Sequence, residues 1–318
     1  METSMMPIAG ATQQQPHKIG KFKGSFLLLR ASWSTLKMDR ELLLLPLYSM
    51  FAGLAVFLVG VAFVVLAMQV GIISYEELEM LFSGTEEPSL AQTALSTGYL
   101  FIVGLGVALT TNFFTAALVA AALYRFSGGN PTVGYALQKA REHFWAIAAF
   151  TLLSWTVLSA LRFISERVPF AGKMITAFLG VAWSLATMFA VPHIVATSRH
   201  VGPLEAVKES AGVFRKTWGE NFIGGIGLSV IFAIVLVPVV LLLIAGPALA
   251  VAYGGLFTLI VTAPFAIAVL IALAAGMEAI SGIFRAALYH YATTGESPAA
   301  FDKELLRAAF KPKKGWFV

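Results

Sequence analysis

Long apolar runs alternate with short polar segments along the whole chain. Five runs lie at residues 42–72, 99–124, 144–161, 174–196 and 222–244, and a sixth lies within the apolar stretch 248–291. Each provides roughly the 20 residues that a helix needs to cross ~30 Å of hydrocarbon at 1.5 Å per residue. The pattern predicts an all-α integral membrane protein with six transmembrane helices.

The stretch 248–291 is longer than one crossing requires. Helix-breaking residues stand at 245–247 (Ala-Gly-Pro), at Gly254 and Gly255, and at Pro264. We expect the fifth helix to end at 245–247, a loop or re-entrant segment to occupy 245–258, and the sixth helix to run from about 259 to 291. A seventh crossing is the alternative. Within the fourth run, Pro192 predicts a kink or a local opening of the helix.

Three polar segments keep their apolar residues at a helical spacing of three and four, namely 22–36, 133–144 and 204–218. Each precedes an odd-numbered run and has a charged opposite face. Trp33, Trp145 and Trp218 stand near the junction with the following run, where an indole ring favours the boundary between headgroups and hydrocarbon. We therefore predict three amphipathic helices with these tryptophans as interfacial anchors.

The chain then divides into three similar units, each an amphipathic helix followed by a transmembrane hairpin. The units cover about 18–129, 130–200 and 201–295, within a single membrane domain at 18–318 that ends in a basic C-terminal tail at 296–318. A disordered N-terminal tail at 1–17 precedes this domain. The sequence Ala-Ala-Leu-Tyr at 121–124 recurs at 286–289, an offset of 165 positions (286 minus 121). All three units have one orientation, unlike the inverted repeats of many secondary transporters.

Basic residues indicate the orientation, because Lys and Arg near the ends of transmembrane helices stay on the cytoplasmic side. In the six-helix topology, 19 of the 22 fall on one side, and only Arg162, Arg167 and Lys173 fall on the other. The segment 74–96 carries five glutamates and no basic residue. We expect an inner (cytoplasmic) membrane protein with both termini in the cytoplasm, whereas a seventh crossing would place the basic tail outside.

Composition agrees with this class and excludes several kinds of site. The chain is 58% hydrophobic and only 12% charged, whereas soluble domains are about a quarter charged. It contains no cysteine, which excludes disulfides, thiolate metal sites and a cysteine nucleophile. The five histidines are scattered, so the sequence indicates no metal ion or other cofactor. The basic tail favours anionic lipid as a partner over nucleic acid.

A short motif before the first apolar run resembles the opening of an uncharacterised family of prokaryotic multi-span proteins, a domain of unknown function. It comprises Ser32-Trp33, Leu36-Lys37, Asp39, Glu41-Leu42 and Pro46. The repeated hairpin and amphipathic helix are also similar, in architecture only, to the membrane domain of some glycerophosphoryl diester phosphodiesterases. No soluble stretch here is long enough for their catalytic domain. Neither resemblance implies a known activity.

Four polar residues within the apolar runs are the candidate site. Glu278 is the only carboxylate placed well inside a run, where a charge costs at least ~2.5 kcal/mol, and Arg285 lies two turns further on. Asn112 lies at nearly the same depth as Glu278 by the 165-residue offset, but on a different helix face. His193 is a candidate proton carrier or metal ligand, and the alternative is an interfacial hydrogen-bonding group. The structural alternative is that these residues hold helices together by buried hydrogen bonds.

These features favour a non-enzymatic scaffold or accessory subunit of a membrane complex, with membrane lipids, a membrane protein or a second copy of the chain as partners. The alternative is a transporter of a small solute or lipid with a polar site near Asn112 and Glu278. An enzyme is less favoured, because the sequence shows no paired nucleophile and base. A water-filled cavity at Glu278 would favour transport, and a dry, packed Glu278 would favour the scaffold. The sequence identifies neither substrate nor oligomeric state.

Overall fold

The computed structural model describes residues 21–71, 74, 90–199, 201–218, 224–299 and 301. Within these ranges the chain forms helices and no strand. They are α1 Lys21–Met38, α2 Leu44–Gln69, α3 Leu90–Phe126, α4 Val133–Glu142, α5 Phe144–Arg167, α6 Phe170–Ala186, α7 Ala190–Ala196, α8 Pro203–Trp218 and α9 Gly224–Thr294. A 3-10 turn, Arg40–Leu43, joins α1 to α2. The predicted N-terminal tail 1–17, residues 302–318 of the predicted C-terminal tail 296–318, and the glutamates of 75–89 lie outside the described residues.

Five segments among the described residues are long and apolar enough to cross a membrane. They are Arg40–Gln69, Leu95–Phe126, Phe144–Arg167, Phe170–Ala196 and Thr262–Thr294. They match the first, second, third, fourth and sixth predicted crossings. The prediction of a helical, membrane-embedded chain is confirmed at this level. Most side chains of the fifth predicted crossing, 222–244, are outside the described part of the structure.

The predicted interruption at residues 245–258 is wrong for this structure, because α9 is one continuous helix of 71 residues. The physical reason lies in the composition of that stretch. Residues 245–258 contain no charged side chain and almost no polar one to satisfy free peptide groups, and the helix satisfies them within the backbone. At 1.5 Å per residue, α9 is ~106 Å long, more than three times the ~30 Å of hydrocarbon.

The fourth crossing divides into α6 and α7, and Pro192 explains the division. Proline has no N–H to donate to the carbonyl four residues earlier, here that of Met188, and its ring clashes with that carbonyl. The helix accordingly opens at residues 187–189, one turn before Pro192. The predicted local opening is confirmed. The backbone N–H of Phe189 donates instead to Ser210 Oγ of α8, at 2.9 Å.

Helix α3 is central and packs against α2, α4, α5, α7 and α9. The enclosed core lies at one end of the bundle and is formed mainly by 116–122 of α3, by Phe189 and 190–195 of α7, and by 279–289 of α9. The short helices α1, α4 and α8 pack around this end, against α9, α3 and α7 respectively. We call it the collar end. At the opposite end, the open end, large apolar side chains of α2, α3 and α6 are exposed, among them Phe63, Leu100 and Phe178.

Candidate functional site

Glu278 lies on α9 and is half-buried against α3. The hydroxyl of Thr115 donates to Glu278 Oε1 at 3.3 Å, and Thr115 itself is buried. One turn further on, Gly282 packs against Leu118, so closely that a Cβ there would lie 2.5 Å from Leu118 Cδ2. The carboxyl group therefore sits in a close helix–helix contact with one hydroxyl donor.

Asn112 lies on the same central helix but bonds to another neighbour. Its Nδ2 donates to Thr151 Oγ1 of α5 at 3.0 Å, while the Thr151 hydroxyl donates to the Ile147 carbonyl at 2.7 Å. Thr151 is almost fully enclosed. Asn112 thus links α3 to α5, whereas Glu278 links α9 to α3.

The structure places Asn112 and Glu278 at similar depth without joining them in one site. Thr115, the partner of Glu278, is three residues from Asn112 along α3, about 4.5 Å along the helix axis. Arg285 is half-buried two turns beyond Glu278. Among the residues that the structure describes, no ion pair joins the two side chains.

His193 lies on α7, in the enclosed core at the collar end. Its Nδ1 is 3.2 Å from the Tyr289 hydroxyl of α9, and the two rings meet nearly edge-on at 6.4 Å. His193 Nε2 is enclosed and has no hydrogen-bond partner in the described part of the chain. The pair joins α7 to α9, and the role of His193 stays a prediction.

Asp39 is buried just before α2 and pairs with Arg125 at the end of α3. Arg125 donates to both carboxylate oxygens through Nε and Nη2, and Nη2 also donates to Asn130 Oδ1 at 2.8 Å. The side chains are 6% exposed for Asp39 and 23% for Arg125. The partner of Asp39 is 86 residues away in the sequence and is not one of the basic residues that flank Asp39.

Two of the predicted tryptophan anchors have described side chains. Trp33 is 43% exposed and Trp145 is 81% exposed, both at the collar end. The Lys37 ammonium lies over the Trp33 ring, 5.9 Å from its centre. The Trp218 side chain lies outside the described residues. Both indoles are accessible, and their role as interfacial anchors stays a prediction.

Two hydroxyl partners, Thr115 and Thr151, were not singled out from the sequence. Threonine within an apolar helix commonly bonds the carbonyl of its own preceding turn, as Thr151 does here, so its presence alone indicates no cross-helix contact. One feature of the sequence points to Thr115. It lies three residues after Asn112, in the run that the 165-residue offset aligns with Glu278.

Two cavities among the described residues have linings that include neither Asn112 nor Glu278. The larger, about 360 Å³, lies at the collar end, and the smaller, about 210 Å³, lies between α1 and α9 beside Trp33 and Ile280. No group of three or more potential metal ligands occurs in the part of the chain that the structure describes. The polar residues of the crossings therefore act as contacts between helices in this structure.

The sequence was compared with family models, curated proteins and solved structures. The model of a family of unknown function (DUF6159) matches residues 91–299. The match begins after the motif at residues 32–46 that carries the sequence resemblance. No curated protein and no solved structure matches the chain. The architectural resemblance to glycerophosphoryl diester phosphodiesterases is without support.

Proposed function

The chain belongs to the DUF6159 family, whose function is unknown, and we propose that it is a non-enzymatic integral membrane protein, a scaffold or accessory subunit of a membrane complex. One observation carries the proposal. The polar side chains within the crossings are used to join helices, and the described cavities do not reach them. A transporter needs such groups to face a path for water or solute.

The same contacts give these groups a structural purpose. Burying a polar group in hydrocarbon without a partner costs several kcal/mol, and a hydrogen bond across a helix interface removes part of that cost. Asn112, Glu278 and His193 each bond to a different neighbouring helix. Together they tie α3, α5, α7 and α9 into one unit, as a rigid platform for a partner protein requires.

The proposed topology has six crossings arranged as three hairpins, in the inner membrane, with both termini in the cytoplasm. The distribution of basic residues supports it, because 19 of 22 fall on one side. The apolar stretch 222–291 also supports two crossings in that region, because it is more than three times as long as the roughly 20 residues that one crossing requires. Two antiparallel crossings there would require the chain to reverse direction, whereas α9 is continuous in this structure.

The proposed threefold repeat is supported by the order in which the helices pack. Each short helix packs against the even-numbered crossing of the preceding unit: α4 against α3, α8 against α7, and α1 against α9, which closes the ring. The contacts Thr115–Glu278 and Leu118–Gly282 join positions separated by 163 and 164 residues (278 minus 115 and 282 minus 118). Both values are close to the 165-residue offset between the two Ala-Ala-Leu-Tyr sequences.

Because the chain contains no cysteine, single cysteines test the proposal directly. Asn112→Cys and Glu278→Cys should resist a charged, water-soluble methanethiosulfonate reagent in native membranes and react after denaturation in SDS. Thr293→Cys, at an exposed wall of the larger cavity, is the matched positive control and should react in both conditions. Rapid modification of Glu278→Cys in the folded protein would show that water reaches this position. It would contradict the scaffold proposal and favour a transport path.

The scaffold itself is tested by purification from the native membrane in mild detergent. A partner protein, or a second copy of the chain, should remain bound in a fixed ratio, and mass spectrometry would identify it. Recovery of a monomer without any protein partner would count against the proposal.

A further inference from the structure

The larger cavity opens where three membrane-spanning segments end. Helix α3 ends at Phe126, α7 at Ala196 and α9 at Thr294, and residues of all three line the cavity together with α4. Its volume of about 360 Å³ lies in the range of ordinary small-molecule pockets, ~300–1,000 Å³. It is therefore large enough to hold a small polar ligand or a lipid headgroup.

Three hydroxyl groups in the lining have already donated their hydrogen atoms. Ser127 Oγ donates to the Leu123 carbonyl at 3.1 Å, Thr293 Oγ1 to the Tyr289 carbonyl at 2.9 Å and Thr294 Oγ1 to the His290 carbonyl at 2.7 Å. A hydroxyl has one hydrogen to donate and two lone pairs that accept. Thr294 Oγ1 already accepts one hydrogen bond, from the Glu296 backbone N–H at 3.1 Å. The remaining lone pairs of the three oxygens offer acceptors to a ligand, and they favour a ligand with N–H groups.

The electrostatics of this wall also favour a cation. The C-terminal end of a helix carries about half a negative elementary charge, and three such ends meet here. The stacked rings of Tyr124 and Tyr135, whose centroids lie 4.4 Å apart, form an apolar part of the lining. An ammonium group fits the negative helix ends and the acceptor oxygens.

The α4 wall contributes the opposite charge. Lys139 lines the cavity, and its ammonium donates to Glu142 Oε2 at 2.7 Å. That hydrogen bond raises the pKa of Lys139, so the side chain stays protonated at neutral pH. The pair is exposed and weak, with 37% and 41% of the two side chains accessible, and Lys139 is free to exchange Glu142 for a phosphate.

We propose that this cavity binds a phosphate ester that carries an ammonium group, the chemistry of phosphoethanolamine, with the ammonium on the hydroxyl oxygens at the helix ends and the phosphate on Lys139. The source is either the headgroup of a membrane lipid or a soluble phosphoethanolamine ester. The site goes beyond the scaffold role and does not depend on it.

The test uses the purified full-length protein and two sets of probes. In detergent, the soluble probe is glycerophosphoethanolamine, and the comparison probes are glycerophosphocholine, ethanolamine and inorganic phosphate. In nanodiscs, bilayers of phosphatidylcholine with or without phosphatidylethanolamine test the lipid source, with native mass spectrometry to count retained lipids. We expect saturable binding of glycerophosphoethanolamine, and weaker binding of the choline ester because its nitrogen has no hydrogen to donate.

Variants assign the binding to the cavity. Lys139→Gln should weaken binding roughly fivefold or more, as loss of a charge-assisted hydrogen bond does. Lys208→Gln is the matched control, since it removes the same charge from an exposed position of the neighbouring short helix α8. Thr293→Val keeps the shape and removes an acceptor, and it should weaken the ethanolamine ester more than the choline ester.

Each outcome decides the proposal. Retention of phosphatidylethanolamine identifies a lipid site, and binding of the soluble ester alone identifies a soluble ligand. Equal binding of inorganic phosphate, equal binding of the choline ester, or no difference between Lys139→Gln and Lys208→Gln would overturn it. Modification of Glu278→Cys, which would refute the scaffold, leaves these results unchanged.

Discussion

At the collar end of α3, residues 116–122 are at most 5% exposed, whereas toward the open end of the same helix Leu100 and Ile102 are 66% and 69% exposed. Both stretches are apolar, so hydrophobicity does not distinguish them. Their neighbours do. The collar end shares one core with residues of α4, α7 and α9. Toward the open end, among the described residues, α3 contacts Gly60 of α2 and Trp155 of α5, and the side chains of Leu100 and Ile102 stay exposed.

The comparison shows how a chain of this composition holds its helices together. Lipid tails are as apolar as leucine, so apolar contact between helices gives little net gain in free energy. Close packing and polar bonds therefore determine how strongly the helices associate. The collar end has small residues, the Asp39–Arg125 pair and the His193–Tyr289 contact. The open end has glycines into which a neighbour fits, such as Gly104 beneath the Trp155 ring.

The ion pair at the collar end should give the largest effect. Arg125→Gln leaves Asp39 buried without a counter-charge. A fully buried pair broken in this way loses ~3–5 kcal/mol, and we expect about 2 to 3 kcal/mol because Arg125 is 23% exposed. The measurement is the free energy of SDS-induced unfolding, followed by tryptophan fluorescence of the purified protein.

Its matched control is the ion pair of the open end. Arg162 and Glu166 are 84% and 60% exposed, at 3.1 Å, so Arg162→Gln should change the unfolding free energy by less than about 0.5 kcal/mol. Equal losses in the two variants would mean that the two ends of the bundle are equally enclosed.

The class of fold follows from the sequence because hydrocarbon imposes its thickness on every crossing. Runs of about 20 apolar residues therefore predict the helices at 99–124 and 144–161 closely, and Pro192 predicts the opening before α7. Partners across helices do not follow in the same way. The sequence shows Arg125 only as a basic residue at the end of a crossing. Its bond to Asp39, 86 residues away, depends on how α3 is rotated against the start of the first crossing.

The continuous α9 marks another limit of the sequence pattern. Proline and glycine predict breaks in water, where free peptide groups bond to solvent. Within an apolar stretch such as 245–258 no solvent or polar side chain replaces the lost bonds, and the helix continues through Pro247. The candidate residues Glu278 and Asn112 were predictable from their polarity alone, but their partners Thr115 and Thr151 depend on helix rotation.

The glycine contact of the open end should give the second largest effect. A methyl group at Gly104 would overlap Trp155 Cζ2, and Trp155 is held in place by its Nε1–H, which donates to the Phe101 carbonyl at 3.1 Å. Gly104→Ala should cost about 2 kcal/mol, within the ~1–3 kcal/mol of overpacked sites, with a change in Trp155 emission. Gly98→Ala, on the same helix with nothing within 4 Å, should be neutral or slightly stabilising. A neutral Gly104→Ala would show that the open end has no fixed packing.

The hydrogen bond to Glu278 should give the smallest effect and tests whether its carboxyl group is neutral. Thr115→Val keeps the shape and removes the donor, and hydrogen bonds between membrane helices contribute on average ~0.6 kcal/mol. Thr111→Val is the matched control, because its exposed hydroxyl donates to the Val107 carbonyl of its own helix. Its loss of unfolding free energy should be less than half that value. A loss of several kcal/mol in Thr115→Val alone would mean that Glu278 is ionised and depends on this single donor, because a charge in hydrocarbon is far costlier to leave unpaired than a neutral acid. A charge held there would need water or a cation nearby, and the polar contacts of the crossings would then belong to a conduction path rather than to a platform.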